Sequence, residues 1–241
     1  IIKINCQPEK FSLFYLSTEI IPLVFCIIFY KKLNTKALKV FFIYCIALSI
    51  LSTLSVISLY VIKSQLLYLT IIRFYVVFEY TIFSIFFYKI LNNTVPQKIV
   101  LYSIFPFIFY SIYDYSIGDK NTFSSNTLIV EFLAFMIFII YFFYEKMQTV
   151  VFYPLYQTIT FWICVGLFLY FTGNFFFLLL IKSTNDIHVK IQMKTLYSFV
   201  TITKNIFLSV ALFASEISEG KNDNIEIPDY LELDDFSFKK S

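Results

Sequence analysis

Histidine, glycine and charged side chains are scarce in this sequence. Only 15% of the 241 residues are charged, against about 25% in typical soluble domains. The single histidine, His188, cannot supply a metal site built on several imidazoles or His-based catalysis between helices. We therefore predict no metal site and no cofactor. The 4 glycines also argue against many tight turns.

The four cysteines do not indicate a disulfide-bonded protein. Of Cys6, Cys26, Cys45 and Cys164, only Cys6 lies outside a long apolar run. This distribution excludes a framework of disulfides. The other three cysteines are best interpreted as small buried apolar side chains.

The sequence is instead rich in apolar and aromatic residues. It is 59% hydrophobic, contains 32 Phe and 19 Tyr, and has a mean hydropathy of +0.77. The apolar residues form runs of about 20, the length that crosses a bilayer as a helix. A membrane β-barrel would need alternating apolar and polar residues, and residues 135–144 show no alternation. We predict an all-α integral membrane protein, because each helix satisfies its own backbone hydrogen bonds in lipid.

The apolar runs divide the chain into three parts. Residues 1–10 form a short extracytoplasmic segment, residues 11–214 a bundle of seven transmembrane helices, and residues 215–241 an acidic cytoplasmic tail. The predicted spans are 11–30, 40–62, 66–88, 99–117, 127–144, 158–181 and 195–214. The first loop holds Lys31, Lys32, Lys36 and Lys39. Because lysine concentrates in cytoplasmic loops, we place the N-terminus outside and the C-terminus in the cytoplasm.

Several polar residues lie inside the predicted spans, where one charge costs about 2.5–3.5 kcal/mol on insertion scales. By their distance from the span ends, most share the outer half of the membrane, and Glu79 lies deeper. We expect Arg73 to face Glu19 or Glu131, and the third carboxylate to take a proton or meet a cation. The candidate site for a small polar ligand or ion therefore comprises Glu19, Arg73, Glu79, Glu131, Asn174 and Lys204. The alternative is an ion-pair network that only fixes helix packing.

Four stretches, residues 74–91, 127–146, 154–180 and 199–213, carry a family resemblance. The most specific pattern is in the sixth span, where Trp162 and Gly166 precede the motif Tyr-Phe-Thr-Gly-Asn that ends at Asn174. In these stretches the chain resembles an uncharacterised family of bacterial seven-helix inner-membrane proteins. The resemblance implies seven helices and a location in the bacterial inner (cytoplasmic) membrane. It implies no activity.

The tail contains eight acidic residues and three lysines, interleaved with apolar side chains. One interpretation is a disordered, solvated end. The other is a peptide that binds a partner protein through Tyr230, Leu233 and Phe236.

Together these features predict a non-enzymatic, multi-pass membrane protein. It would be either a receptor-like sensor module or a docking subunit of a larger membrane complex. Its partners would be the lipid bilayer and another membrane or cytoplasmic protein reached through the tail, with no nucleic acid. The alternative function is a small transporter or a proton or ion pathway that uses the intramembrane Glu residues. A lipid-modifying enzyme is disfavoured because the sequence offers no usable His and no Asp-rich or Cys-based constellation. A retinal protein built on Lys204 is disfavoured by the single Trp.

Overall fold

The computed structural model describes residues 18–118, 125–148, 155–183 and 186–214, and all regular structure in these ranges is helical. The helical prediction is therefore confirmed. The helices in chain order are α1 (Ile21–Ile28), α2 (Lys36–Tyr60), α3 (Gln65–Ile90), α4 (Thr94–Tyr102), α5 (Ile104–Ile117), α6 (Ser125–Gln148), α7 (Ile159–Ser183) and α8 (Ile187–Ala211). Two short 3-10 turns, Tyr30–Lys32 and Leu155–Gln157, follow α1 and precede α7.

Five helical segments among the described residues are long and apolar enough to cross a membrane. They are α2, α3, the combined segment Thr94–Ile117, and the parts of α6 and α7 over Asn126–Gln148 and Ile159–Ile181. The first predicted span is described only from residue 18 onward. The last predicted span, residues 195–214, overlaps α8 as far as Ala211.

Two helix boundaries differ from the predicted spans for clear physical reasons. The fourth span is divided at Ser103, because Pro106 lies in the first turn of α5 and has no N–H to donate to Tyr102. Helix α8 begins at Ile187 instead of residue 195. Residues 187–194 contain neither Gly nor Pro, so the helix continues beyond the apolar stretch on which the prediction was based.

Polar side chains mark the starts of three helices. The Thr35 hydroxyl accepts from the Leu38 N–H at 3.3 Å, and the Ser64 hydroxyl accepts from the Leu67 N–H at 3.3 Å. Asn93 caps α4 through the N–H of Val95. Such caps satisfy backbone donors that a helix leaves unpaired in its first turn. Lys63, between α2 and α3, adopts a left-handed φ of 56°, which permits the tight reversal there.

Helices α1 and α8 run parallel to each other. The Asn205 amide donates to the Thr18 hydroxyl at 3.0 Å, and further along both segments the ring of Phe213 lies 5.6 Å from that of Phe25. At the end of this pair, the Lys32 ammonium donates to the carbonyl oxygens of residues 212–214 at 3.1–3.4 Å. The first loop is therefore attached to the C-terminal end of the last helix.

A cluster of three aromatic rings, two of them stacked and the third edge-on to both, joins α3, α6 and α7. Phe135 of α6 lies 4.8 Å from Phe171 of α7, and Phe83 of α3 lies 5.7 Å and 6.0 Å from these two rings. All three side chains are almost fully buried. We call Phe83, Phe135 and Phe171 the aromatic floor, because it closes the bundle on one side of the polar residues described below.

Gly173 allows α8 to approach α7 closely, and this contact can be tested. A Cβ at Gly173 would meet the two methyl groups of Val200 at 2.8 Å and 3.0 Å. We expect Gly173→Ala to destabilise the protein by about 1–3 kcal/mol through overpacking. Thermal unfolding of the purified protein should show the loss. The double variant Gly173→Ala/Val200→Ala should recover part of it, and an unchanged unfolding temperature for Gly173→Ala would contradict this packing.

Candidate functional site: a buried acidic layer

Three polar side chains lie at one level above the aromatic floor. Glu79 is one helical turn before Phe83 in α3, and Glu131 is one turn before Phe135 in α6. Asn174 is one turn after Phe171 in α7. The ring contacts of Phe132 with Phe171 and of Phe143 with Phe161 show that α7 runs antiparallel to α6. One turn forward in α7 therefore matches one turn back in α6, and we call Glu79, Glu131 and Asn174 the acidic layer.

Glu79 is well supplied with hydrogen-bond donors. Its Oε1 accepts from the Tyr75 hydroxyl at 2.8 Å, one turn earlier in the same helix, and from the Tyr44 hydroxyl of α2 at 3.0 Å. The Glu79 side chain is 1% exposed. The two phenol groups replace water as hydrogen-bond donors to this carboxyl group. They thereby lower the free-energy cost of burying it.

Lys204 of α8 supplies a buried positive charge beside this carboxylate. Its Nζ donates to the Tyr44 hydroxyl at 3.3 Å and lies 4.4 Å from the centre of the Tyr170 ring. Tyr44 therefore connects the ammonium of Lys204 with the carboxylate of Glu79. The Tyr170 ring face adds a cation–π contact, which is strongest where water is excluded.

Glu131 and Asn174 differ sharply from Glu79. Both side chains are fully buried, yet neither carboxylate oxygen and neither amide atom has a hydrogen-bond partner among the described residues. Glu131 still interacts electrostatically with Glu79 across the layer. Buried polar atoms are nearly always paired, so four unpaired atoms on two facing helices are unusual and point to a binding function.

Glu19 lies at the edge of the same interior. It precedes α1, its side chain is half-buried, and its carboxylate lies near the Ser52 hydroxyl of α2. Lys204 and Glu79 are both within its electrostatic range. The structure thus brings together Glu19, Glu79, Glu131, Asn174 and Lys204 from the predicted set.

Arg73 lies elsewhere, in contrast to the expectation that it faces Glu19 or Glu131. Its guanidinium group lies 4.8 Å from the Tyr115 ring of α5, and Glu131 receives no hydrogen bond from it. The expectation considered only carboxylates as partners, whereas an aromatic ring at the end of α5 also attracts a cation. Arg73 lines an outer pocket together with Val76, Ser111, Asp114, Tyr115, Thr127 and Leu128.

The outer pocket lies directly beyond the acidic layer. Thr127, whose hydroxyl donates to Asp114 at 2.8 Å, is one turn before Glu131 on the same face of α6. Val76 is one turn before Tyr80 in α3, and Tyr80 is within electrostatic range of Glu131. The pocket therefore lies about one helical turn from the acidic layer, on the side opposite the aromatic floor.

Sequence reasoning missed the three tyrosines that surround Glu79 and Lys204, namely Tyr44, Tyr75 and Tyr170. Their spacing offered a signal, because Tyr75 precedes Glu79 by four residues and Tyr170 precedes Asn174 by four. The predicted tail residues Tyr230, Leu233 and Phe236 lie outside the described residues. Within the described ranges, no group of three or more His, Cys, Asp or Glu side chains is placed to hold a metal ion.

The role of Tyr44 gives a direct test of the site's geometry. Tyr44→Phe removes one donor from Glu79 and the hydroxyl group that links Glu79 with Lys204, while the ring is retained. Hydrogen bonds to charged groups contribute about 1.5–3 kcal/mol, so we expect a loss of stability of that size. Chemical or thermal unfolding in detergent would measure it. Tyr102→Phe, at an exposed position, is the control and should change nothing measurable; equal unfolding of both variants would contradict the link.

Comparison with known proteins adds no assignment. No family model matches the chain, and no curated protein or solved structure matches it significantly. The resemblance described from the sixth span stays a prediction, and the function has to be argued from the site itself.

Proposed function

We propose that the chain is a non-enzymatic, seven-helix membrane protein that binds a proton or a small cation in the acidic layer and works as a receptor-like sensor. The five apolar helices support insertion into a membrane, here the bacterial inner membrane. The parallel course of α1 and α8 suits an odd number of spans, with the N-terminus outside and the C-terminus in the cytoplasm.

The observation that carries the proposal is the unpaired carboxyl group of Glu131. In the acidic layer, two carboxyl groups are almost fully buried, and Lys204 is the one buried cation that reaches this layer among the described residues. Lys204 is linked to Glu79 through Tyr44, which leaves Glu131 without a counter-charge. A lone buried carboxylate costs several kcal/mol, so the site favours uptake of a positive charge.

The surroundings of the layer favour binding over free passage. The aromatic floor closes the side that faces the first loop and the end of α8, whereas the outer pocket reaches to one turn from Glu131. A site approached from one side and sealed on the other is suited to detect a solute. Helix α8 can carry the signal, because it holds Lys204 in the site. Just after its end, the Lys32 ammonium donates to the carbonyl oxygens of residues 212–214, a contact that we call the Lys32 clamp.

Transport is the second candidate, favoured by two carboxyl groups at one level of the bundle. Glu79 and Glu131 interact electrostatically, so a charge bound between them could be exchanged. Transport would require the aromatic floor to separate during each cycle. Flux through the protein therefore distinguishes the two functions.

Charge binding should appear as stabilisation of the folded protein. A ligand at 100 times its dissociation constant adds about 2.7 kcal/mol, so lower pH, Na⁺, K⁺ or ammonium should raise the unfolding temperature. Glu131→Gln should abolish the response. Glu145→Gln is the matched control, because Glu145 is a buried carboxylate at the opposite end of α6 that accepts from the backbone N–H groups of Asn92 and Asn93.

The same variants decide between sensor and transporter in liposomes. For a sensor, we expect no proton or cation flux above that of empty liposomes, although the unfolding temperature still responds. Flux that disappears in Glu79→Gln and Glu131→Gln would establish transport instead. If neither unfolding nor flux depends on Glu131, the proposed function is wrong.

The tail offers a docking role that the Lys32 clamp favours. The Lys32 ammonium holds the carbonyl groups of residues 212–214, so the last described residues before the tail lie beside the first loop. We expect deletion of residues 215–241 to reduce co-purification of partner proteins while the bundle's unfolding temperature is retained. The triple variant Tyr230→Ala/Leu233→Ala/Phe236→Ala should reproduce the loss. Unchanged recovery of every partner would count against docking.

A further inference from the structure

The four unpaired atoms of Glu131 and Asn174 complement each other only when the carboxyl group carries a proton. We infer that Glu131 is the proton-binding residue of the acidic layer and that Asn174 positions and pairs its protonated carboxyl group. This inference deepens the proposed function, on which it rests, by naming the proton as the bound charge. Among the described residues, no group donates a hydrogen bond to either carboxyl oxygen of Glu131.

The register of α6 and α7 places Glu131 and Asn174 at the same level of this helix pair. Phe132, next to Glu131, contacts the rings of Tyr170 and Phe171, and the Thr172 hydroxyl approaches the Met136 sulfur at 3.3 Å. These contacts lie on the aromatic-floor side of Glu131 and Asn174, and the same antiparallel register, continued by about one turn, brings the two residues to the same level. Both side chains are 0% exposed, so neither can turn to solvent for a partner.

A carboxylic acid and an amide form two hydrogen bonds side by side. The protonated oxygen of Glu131 would donate to Oδ1 of Asn174, and Nδ2 of Asn174 would donate to the other carboxyl oxygen. This arrangement satisfies both oxygens of Glu131 and both polar atoms of Asn174. An ionised Glu131 can only accept, so Oδ1 of Asn174 would face a negative charge without a donor between them.

The surroundings oppose the ionised form as well. Phe132, Phe135 and Phe171 cover this part of the α6–α7 contact with apolar rings, where an uncompensated charge is costly. Glu79 contributes a second carboxyl group at the same level. Several titratable or charged groups face this space from the neighbouring helices: Tyr44 of α2, Arg73, Tyr75, Glu79 and Tyr80 of α3, Asp114 of α5, Tyr170 of α7, and Tyr197 and Lys204 of α8.

The two cations of this set are not hydrogen-bonded to Glu131. Lys204 donates to Tyr44 and lies over the Tyr170 ring, and Arg73 lies over the Tyr115 ring. Neither donates a hydrogen bond to Glu131. A proton arriving through the outer pocket is therefore the smallest charge that completes the layer, and its release would remove the hydrogen bond that Glu131 donates across the α6–α7 contact.

Infrared difference spectroscopy of the purified protein tests the inference. Protein labelled with ¹³C-glutamate should show a protonated carboxyl stretch at neutral pH that shifts with the label. This band should be lost in Glu131→Gln and retained in Glu145→Gln. Glu131→Gln should still fold, because a glutamine amide can pair with the amide of Asn174 as the protonated acid does. Identical spectra of the parent protein and Glu131→Gln in this region would overturn the inference.

The positioning role of Asn174 has its own readout. Asn174→Leu should shift the Glu131 band to higher frequency, because the carboxyl group loses its amide partner. Asn174→Ser, a smaller change, should give an intermediate shift and serves if the leucine variant does not fold. A band at the parent frequency in either folded variant would show that Asn174 is not the partner.

These spectra separate the inference from the function on which it rests. A Glu131 band in a protein whose unfolding responds to neither pH nor cations would refute the proposed function and leave the proton site intact. A cation response without a protonated Glu131 band would refute the proton site and leave the proposed function intact. It would also identify a cation other than the proton as the ligand.

Discussion

The contact among the rings of Phe83, Phe135 and Phe171 is the interaction on which the rest of the interior depends. These rings bring α3, α6 and α7 together at one point and exclude water from it. Since each helix carries a polar residue one turn from its ring, the ring cluster also aligns Glu79, Glu131 and Asn174. Aromatic pairs contribute about 0.5–1.5 kcal/mol beyond their buried area, so the three contacts provide a rigid reference for the polar groups above them.

Enclosure by aromatic rings gives the two carboxyl groups opposite properties. Glu79 receives two phenolic donors and an indirect link to Lys204, so its charge is distributed over several partners. Glu131 lies against Phe132 and Phe135 and receives no donor from the described residues. Side chains solvate the carboxyl group of Glu79 but not that of Glu131. The two groups should therefore differ in how readily they hold a proton. This asymmetry favours a binding role over a purely structural ion-pair network.

The sequence predicted the helical class and the location of the apolar helices, because runs of about 20 apolar residues have few other solutions. It also identified Glu79, Glu131, Asn174 and Lys204 as residues of interest. It placed Glu79 deeper than Glu131, since depth was counted from the start of each helix separately. Only the ring contacts show that α3 is displaced along its axis, so that both carboxyl groups lie level. The positions of Arg73 and Tyr44 depend on the rotation of neighbouring helices, which no single span encodes.

Helix α8 connects the acidic layer with the other end of the bundle, and glycine makes this connection tight. Gly166 and Gly173 of α7 leave room for Phe207 and Val200 of α8, so that the two backbones approach closely. The same approach brings Lys204 over the Tyr170 ring, in the turn between these two glycines. Because packed interfaces shift between discrete arrangements more readily than they deform continuously, a change of charge at Glu131 would favour one α7–α8 arrangement over another. The end of α8 held by Lys32 is where such a shift would reach the first loop and the tail.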